Sequence, residues 1–224
     1  MKIKKYVFLV VITIIFTLFS ACGSKKGTSI LYQGHASLRI TSIDGIVIYV
    51  DPNAGEGYDV PADIILVTHG HGDHSMKELP EKKDDCVIIT QNEALIIPGE
   101  HQSFSVKGVE IQAVKAKSAQ HSEKACVGYI ITVDGFKIYV AGDTAKTDQM
   151  ETFAALEIDY AFLPCDGGFT MDAKTAAECA EIIGAKHNIP YHTDGDIFNR
   201  EVAESFDAPN RLILEPGETI YLKH

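Results

Sequence analysis

The segment DIILVTHGHGDHS, residues 63–75, passes from four aliphatic residues into three histidines and an aspartate within six positions. Imidazoles and carboxylates transfer protons or ligate metals. The spacing here favours ligation. His69 and His71 are two apart, so in an extended segment both rings lie on one face. Gly70 and Gly72 allow a tight turn, which lets Asp73 and His74 aim at a neighbouring point. Together they form a borderline-soft N/O ligand set, suited to one or two Zn2+ ions and tolerant of Mn2+ or Fe2+. A histidine-rich surface loop, or a helix start capped by Asp73, would use the same residue types. Four ligand-type side chains directly after a buried strand shift the balance to a metal site.

Such a loop needs strands to carry it. Ile64–Thr68 is a short apolar strand suited to burial on both faces, and its C-terminal end can present ligands to a cleft. Upstream, SLRITSIDGIVIYV is two strand runs joined at Asp44-Gly45; downstream, YIITVDGFKIYV repeats the design at Asp134-Gly135. IDGIVIYVDP and VDGFKIYVAGD align at an offset of 90 residues, and both second strands end at an aspartate, Asp51 and Asp143. This predicts an internal duplication, against the alternative of two independent Asp-Gly hairpins. Further elements follow in order. They are a short helix over Ser75–Leu79, a strand at CVIIT, a helical turn or two at QNEALII, and a strand at VEIQAV. A helix at DQMETFAAL and a strand at IDYAFLP come next. DAKTAAECAEIIG is an amphipathic helix capped by Asp172 and Gly184; HNIPYH is a strand, REVAESF a helix and RLILE a last strand. Hairpins mixed with strand–helix units predict two mixed sheets face to face with helices outside.

The N-terminus reads differently. MKIKK, an apolar run and LFSAC form a basic region, a hydrophobic region and a small-residue cleavage site, so residues 1–21 are expected to be a signal peptide. LFSAC resembles a bacterial lipobox, with Phe19 where leucine is usual; Cys22 is then the lipidated residue and 22–28 a tether. An uncleaved anchor or ordinary secretion are the alternatives. The lipid reading implies a membrane-anchored protein outside the cytoplasm, in a bacterial cell envelope, with residues 29–224 as one domain. Removing residues 1–21 takes away three lysines and moves the net charge from −11 to −14. A field of that sign repels phosphate backbones, which argues against nucleic acid as a partner. The remaining cysteines, Cys86, Cys126, Cys165 and Cys179, show no metal-like spacing and read as buried thiols.

THGHGDH matches the H-x-H-x-D-H signature of the metallo-β-lactamase superfamily, and the match continues in chain order: AQHS supplies His121, AGDT supplies Asp143 and IPYHTD supplies His192. The resemblance covers the mature domain. It implies an α+β fold, a four-layer αβ/βα sandwich built from two similar halves. It further implies that His69, His71 and His121 hold one ion, that Asp73, His74 and His192 hold a second, and that Asp143 bridges them. GHASLRI, VDP and GGFTMDAKTAAECA followed by IPYH resemble the group containing ascorbate-6-phosphate lactonase and N-acyl-phosphatidylethanolamine phospholipase D. In that group the Gly-His piece lies near the metal cleft, which makes His35 a candidate second-layer or substrate contact. A structural histidine bonded to backbone would fit the same position. Cys165-Asp166 departs from the group's usual Pro-Ile/Val-Gly run, and HTDGD from its usual His-Tyr-Gly.

These ligands imply a metal-dependent hydrolase in which a metal-bound hydroxide attacks an ester, lactone, amide or phosphodiester bond of a small-molecule substrate. Asp73 would orient the nucleophile or carry a proton to the leaving group. A flavo-diiron oxidoreductase would need a glutamate where His71 stands. A nuclease would want a basic surface. A β-lactamase finds no support in the subgroup features. A zinc-binding surface lipoprotein without turnover would show the same ligands and stays open.

Overall fold

The computed structural model describes residues 27–195 and 197–223. The expected signal, Cys22 and most of the tether lie outside the described residues. Among the described residues no helix is long and apolar enough to cross a membrane.

Two six-stranded sheets carry the fold. The first contains β1 (Ser29–Gly34), β2 (Ser37–Thr41), β3 (Val47–Val50), β4 (Ala62–Leu66), β5 (Lys82–Ile89) and β12 (Thr219–Tyr221), in the order β12-β1-β2-β3-β4-β5. The second contains β6 (Ser103–Val106), β7 (Val109–Lys115), β8 (Val127–Val133), β9 (Phe136–Val140), β10 (Tyr160–Pro164) and β11 (His187–Tyr191), in the order β11-β10-β9-β8-β7-β6. The predicted duplication is present as topology. Pairings β1-β2 and β2-β3 are antiparallel and β3-β4 and β4-β5 parallel; β7-β8 and β8-β9 are antiparallel and β9-β10 and β10-β11 parallel.

Alternation along the strands builds the core. Ile48, Val50, Ile64 and Leu66 on one sheet meet Val127, Tyr129, Ile131 and Phe162 on the other in one buried cluster. The outer faces differ. The second sheet is covered by the 3-10 helix Asp148–Leu156 and by α2 (Ala173–Ile183), through Met150, Phe153, Ala176 and Ile183. The first sheet's outer residues Val47, Tyr49, Ala62 and Ile65 are covered instead by Tyr58 and Val60, from the loop between β3 and β4. The α+β sandwich of two similar halves therefore has one helical outer layer and, among the described residues, one outer layer made of loop.

Local signals explain most elements. Asp172 Oδ1 accepts from Thr175 N–H at the start of α2, and Gly184 ends it at φ 67°. Asp134 (φ 51°) and Gly135 (φ 85°) form a two-residue turn between Val133 and Phe136. Asp44-Gly45 sits in a longer loop, because Thr41 already pairs with Val47. Three expectations differ. Ser75–Leu79 is turn rather than helix, and only α1 (Gln91–Ala94) follows β5. DQMETFAAL winds as a 3-10 helix. RLILE makes one bridge, Asn188 to Arg211; the last strand is β12, which returns to the first sheet beside β1.

Gly142 sits where β9 reaches the sheet edge. Its φ is 65°, and a Cβ there would lie 2.7 Å from Val127 O and 3.0 Å from Thr68 Cβ. Gly142→Ala combines left-handed strain with a backbone clash and should cost about 2–4 kcal/mol. A urea denaturation midpoint of metal-free protein equal to wild type would contradict this account.

Candidate metal centre

The site residues sit at or just beyond the C-terminal ends of parallel strands. Asp51 follows β3, His69–His74 fill the connection after β4, Asp143 follows β9, Asp166 follows β10, and His192 follows β11. His121 lies before β8, and His35 lies in the turn between β1 and β2. The segment entering His69 is stitched to the second sheet. Tyr129 Oη donates to Val67 O (2.9 Å), Val127 N–H donates to Thr68 O (3.0 Å), and His69 bridges Cys126. Gly142 N–H donates to Tyr191 Oη (2.8 Å), which ties the Asp143 loop to the strand end that carries His192. His192 N–H donates to His35 O (2.9 Å).

All seven residues singled out as ligands, together with His35, converge. One ligand atom from each of His69, His71 and His121 lies within 4.8 Å of the others, and the same holds for His35, Asp73, His74 and His192. Asp143 sits between the two groups. Its Oδ1 is 3.4 Å from His74 Nε2 and 3.4 Å from His192 Nε2, while its Oδ2 is 3.5 Å from His121 Nε2 and 4.0 Å from His69 Nε2. Buried polar atoms normally find a partner. Here His69 Nε2, His74 Nε2, His192 Nε2 and Asp143 Oδ1 are buried and unpartnered, all turned into the same gap. Lone pairs of this kind fit divalent cations. His71 and Asp73 are more exposed, at the mouth of the gap.

A layer behind the rings fixes which nitrogen faces inward. His74 Nδ1 lies 2.9 Å from Asp51 Oδ2, and Asp51 also accepts from Thr68 N–H (2.7 Å) and Thr68 Oγ1 (2.6 Å). His192 Nδ1 lies 2.9 Å from Asp166 Oδ2. His69 Nδ1 meets Thr68 Oγ1 at 3.1 Å, and His121 Nδ1 meets Ser118 Oγ at 2.8 Å. Each contact leaves Nε2 for the gap. Sequence reasoning missed Asp51, although its alignment with Asp143 in the repeated hairpins marked it, and it noticed Asp166 only as a departure. His35 packs its ring on His192 (centroids 3.9 Å) and brings Nε2 to 3.4 Å from Asp73 Oδ2. His35, Asp51 and His192 all have φ between 45° and 48°, left-handed backbone concentrated at the site.

The protein's own fields oppose one another here. Burial, then the neighbouring histidines, hold His69 down at about 2; burial also lowers His74 and His121. Burial, reinforced by the charges of Asp51, Asp166 and Asp73, pushes the Asp143 carboxyl up to about 7, although His192 pulls against it. Burial pushes Asp51 up to about 7 as well. His192 is pulled down by burial, but Asp166 and Asp143 outweigh that and raise it.

Two facing mixed sheets with this histidine–carboxylate cluster at their shared edge define a protein of the metallo-β-lactamase fold. A family model for the beta-lactamase superfamily domain matches residues 29–192, a span that contains the whole cluster. A UPF0173 metal-dependent hydrolase of Thermococcus onnurineus is 30% identical over 222 residues, covering 85% of this chain and 98% of the relative. Another from Pyrococcus furiosus is 33% identical over 186 residues, covering 71% and 81%. The crystal structure of a Parabacteroides distasonis protein described as a metal-dependent hydrolase superposes with a TM-score of 0.67 at 29% identity, covering 84% of this chain and 91% of that one. The chain belongs to the beta-lactamase superfamily and, within it, to the UPF0173 metal-dependent hydrolases. It is thus a metal-dependent hydrolase of the metallo-β-lactamase fold.

A pH dependence follows. A ligand carboxylate must be ionised and a ligand imidazole neutral, so metal binding expels the protons that Asp143 and His192 carry in the protein alone. His69 has none to lose at these pH values. Metal affinity should fall at least about tenfold per pH unit below 7, where Asp143 carries its proton, one decade for each proton displaced. Calorimetry in buffers of different ionisation enthalpy measures the protons released; no release at pH 6 would contradict this assignment.

Proposed function

We propose that the chain hydrolyses an ester, lactone, amide or phosphodiester bond of a small-molecule substrate with a pair of divalent ions, zinc in the first instance and manganese or iron as substitutes. In this reading His69, His71 and His121 hold one ion, Asp73, His74 and His192 the other, and Asp143 bridges them. The observation that carries it is the division of the Asp143 carboxylate, with one oxygen toward each histidine group. Bound at such a site, the ions supply the Lewis acidity that makes a nucleophile of water near neutral pH and stabilises a developing oxyanion.

The chain's own groups do the rest. Asp73 stands at the mouth with its side chain 44% exposed, where it can orient an incoming water and pass a proton to a leaving group. His35 sits against Asp73 and limits its rotation. The walls of the gap, lined by the buried rings of His69, His74 and His192, exclude bulk water from the reacting atoms. The GHASLRI and GGFTMDAKTAAECA stretches favour the lactonase and phospholipase D-like group as a source of candidate substrates. The LFSAC ending favours attachment through Cys22 to a bacterial envelope membrane.

The test is metal content and turnover on the same samples. Asp143→Ala should lose bound metal and His71→Ala one of the two equivalents, and kcat/KM for any substrate found in an ester, lactone and phosphodiester panel should fall at least about a thousandfold in both, since several kcal/mol of charge stabilisation are removed. Full activity in metal-free Asp143→Ala would sink the reading. Stoichiometric zinc with no turnover on the panel would favour a zinc-binding surface lipoprotein instead.

A further inference from the structure

The two halves of the centre are backed by different chemistry. Behind the histidines of the first group stand hydroxyls, Thr68 Oγ1 at His69 (3.1 Å) and Ser118 Oγ at His121 (2.8 Å). Behind those of the second stand carboxylates, Asp51 at His74 (2.9 Å) and Asp166 at His192 (2.9 Å). A carboxylate at Nδ1 makes the opposite nitrogen a stronger donor than a hydroxyl does, and it adds a negative charge close to the cation. The second group also contains Asp73, whereas the first has only its share of Asp143.

Resting on the two-ion reading above, we infer that the sites are unequal and fill in order, with the Asp73–His74–His192 site loading first and Asp166 as the residue that secures it. Asp166 is built for this. Its Oδ1 accepts from the N–H groups of Gly168 (2.7 Å), Phe169 (2.9 Å) and Thr170 (3.1 Å), so its carboxylate plane is held by its own loop. The loop is held in turn, because Met171 N–H donates to Thr144 O (3.2 Å), next to the bridging Asp143. Oδ2 is left at ion-pair distance from His192 Nδ1 (2.9 Å). Asp166 is a positioning residue. The first site is the more exposed and more weakly backed, and its ion is the exchangeable one.

One substitution separates the two roles of Asp166. Asp166→Asn keeps an oxygen to accept the three backbone N–H groups and replaces the oxygen at His192 with an amide that cannot accept from Nδ1. Metal-free full-length protein is titrated with zinc against a competing chelator, and crystals prepared with half an equivalent of zinc are measured for anomalous scattering. Zinc should appear first between His74 and His192. Asp166→Asn should weaken the first equivalent by about ten- to a hundredfold while the metal-free protein still unfolds in one cooperative transition, and His71→Ala should retain that first equivalent. Zinc appearing first among His69, His71 and His121, or an unchanged first affinity in Asp166→Asn, overturns the inference. The wild-type crystal decides the filling order even if the variant does not fold. Absence of zinc from both positions overturns the two-ion reading itself, which keeps the two failures distinct.

Discussion

The structure is organised around one buried carboxylate. Asp143 is 3% exposed and faces four imidazole nitrogens at 3.4–4.0 Å. In an apolar interior such a group drifts toward its neutral form, and His69, His74 and His121 resist protonation for the same reason, while Asp166 and Asp143 raise His192. Neither side can neutralise the other well, because each is crowded by its own kind. A divalent cation removes the conflict on both sides together. The surrounding fold works to keep the conflict in place. Gly142 gives Asp143 its approach, Tyr191 Oη fixes Gly142, and the turns at His35, Asp51 and His192 are held in left-handed backbone. Strain of that kind costs about 1–3 kcal/mol per residue. Each fully buried Ile, Leu or Phe contributes about 1.5–3 kcal/mol, so the interleaved core between the sheets easily supports it.

The duplication explains why the centre can be built at all. Each half ends its parallel strands at the same edge of the sandwich, so residues far apart in sequence arrive together. Position correspondence goes beyond the hairpins. Asp51 after β3 is the counterpart of Asp143 after β9, and His35 between β1 and β2 is the counterpart of His121 between β7 and β8. The counterparts have diverged in duty. Asp143 faces the gap directly, while Asp51 has turned behind His74 and accepts three hydrogen-bonding contacts of its own. Equivalent strand ends thus place one carboxylate in the gap and the other behind a ring.

How much of this could be read before the structure was available depends on whether the signal was local. The H-x-H-x-D-H loop, the Asp134-Gly135 turn and the caps of α2 are local chemistry, and each folds as its residues dictate. Asp51 and Asp166 are acidic residues among 31 Asp and Glu in the chain, and nothing local says that their partners are His74, 23 positions away, and His192, 26 positions away. RLILE has strand composition, yet it meets β11 at a single parallel bridge, Asn188 to Arg211, with Leu212 N–H donating to Asn188 O (2.9 Å). The exposed TIY of β12 has little hydrophobic pattern; it is a strand because β1 offers an unpaired edge and Tyr32 N–H reaches Glu218 O. Ser75–Leu79 has helical composition too, yet Met76 N–H is taken by Pro52 O, which pins the segment as part of the ligand loop.

That last detail bears on the unequal outer layers. A parallel pair of strands needs a crossover, and a helix is the usual one. In the second half both crossovers, the 3-10 helix and α2, pack on the sheet and seal it. In the first half the β4–β5 crossover is the loop that carries His69, His71, Asp73 and His74, and a regular helix there would point successive side chains around a cylinder rather than into one gap. That connection contains no regular helix, and the sheet face is closed by Tyr58 and Val60 from the preceding loop, with Tyr58 stacked on Tyr49 at 5.5 Å. The asymmetry of the sandwich follows the cluster: the half whose crossover carries His69–His74 has loop on its outer face, and the half with helical cover is the frame that Asp143, Asp166 and His192 are mounted on.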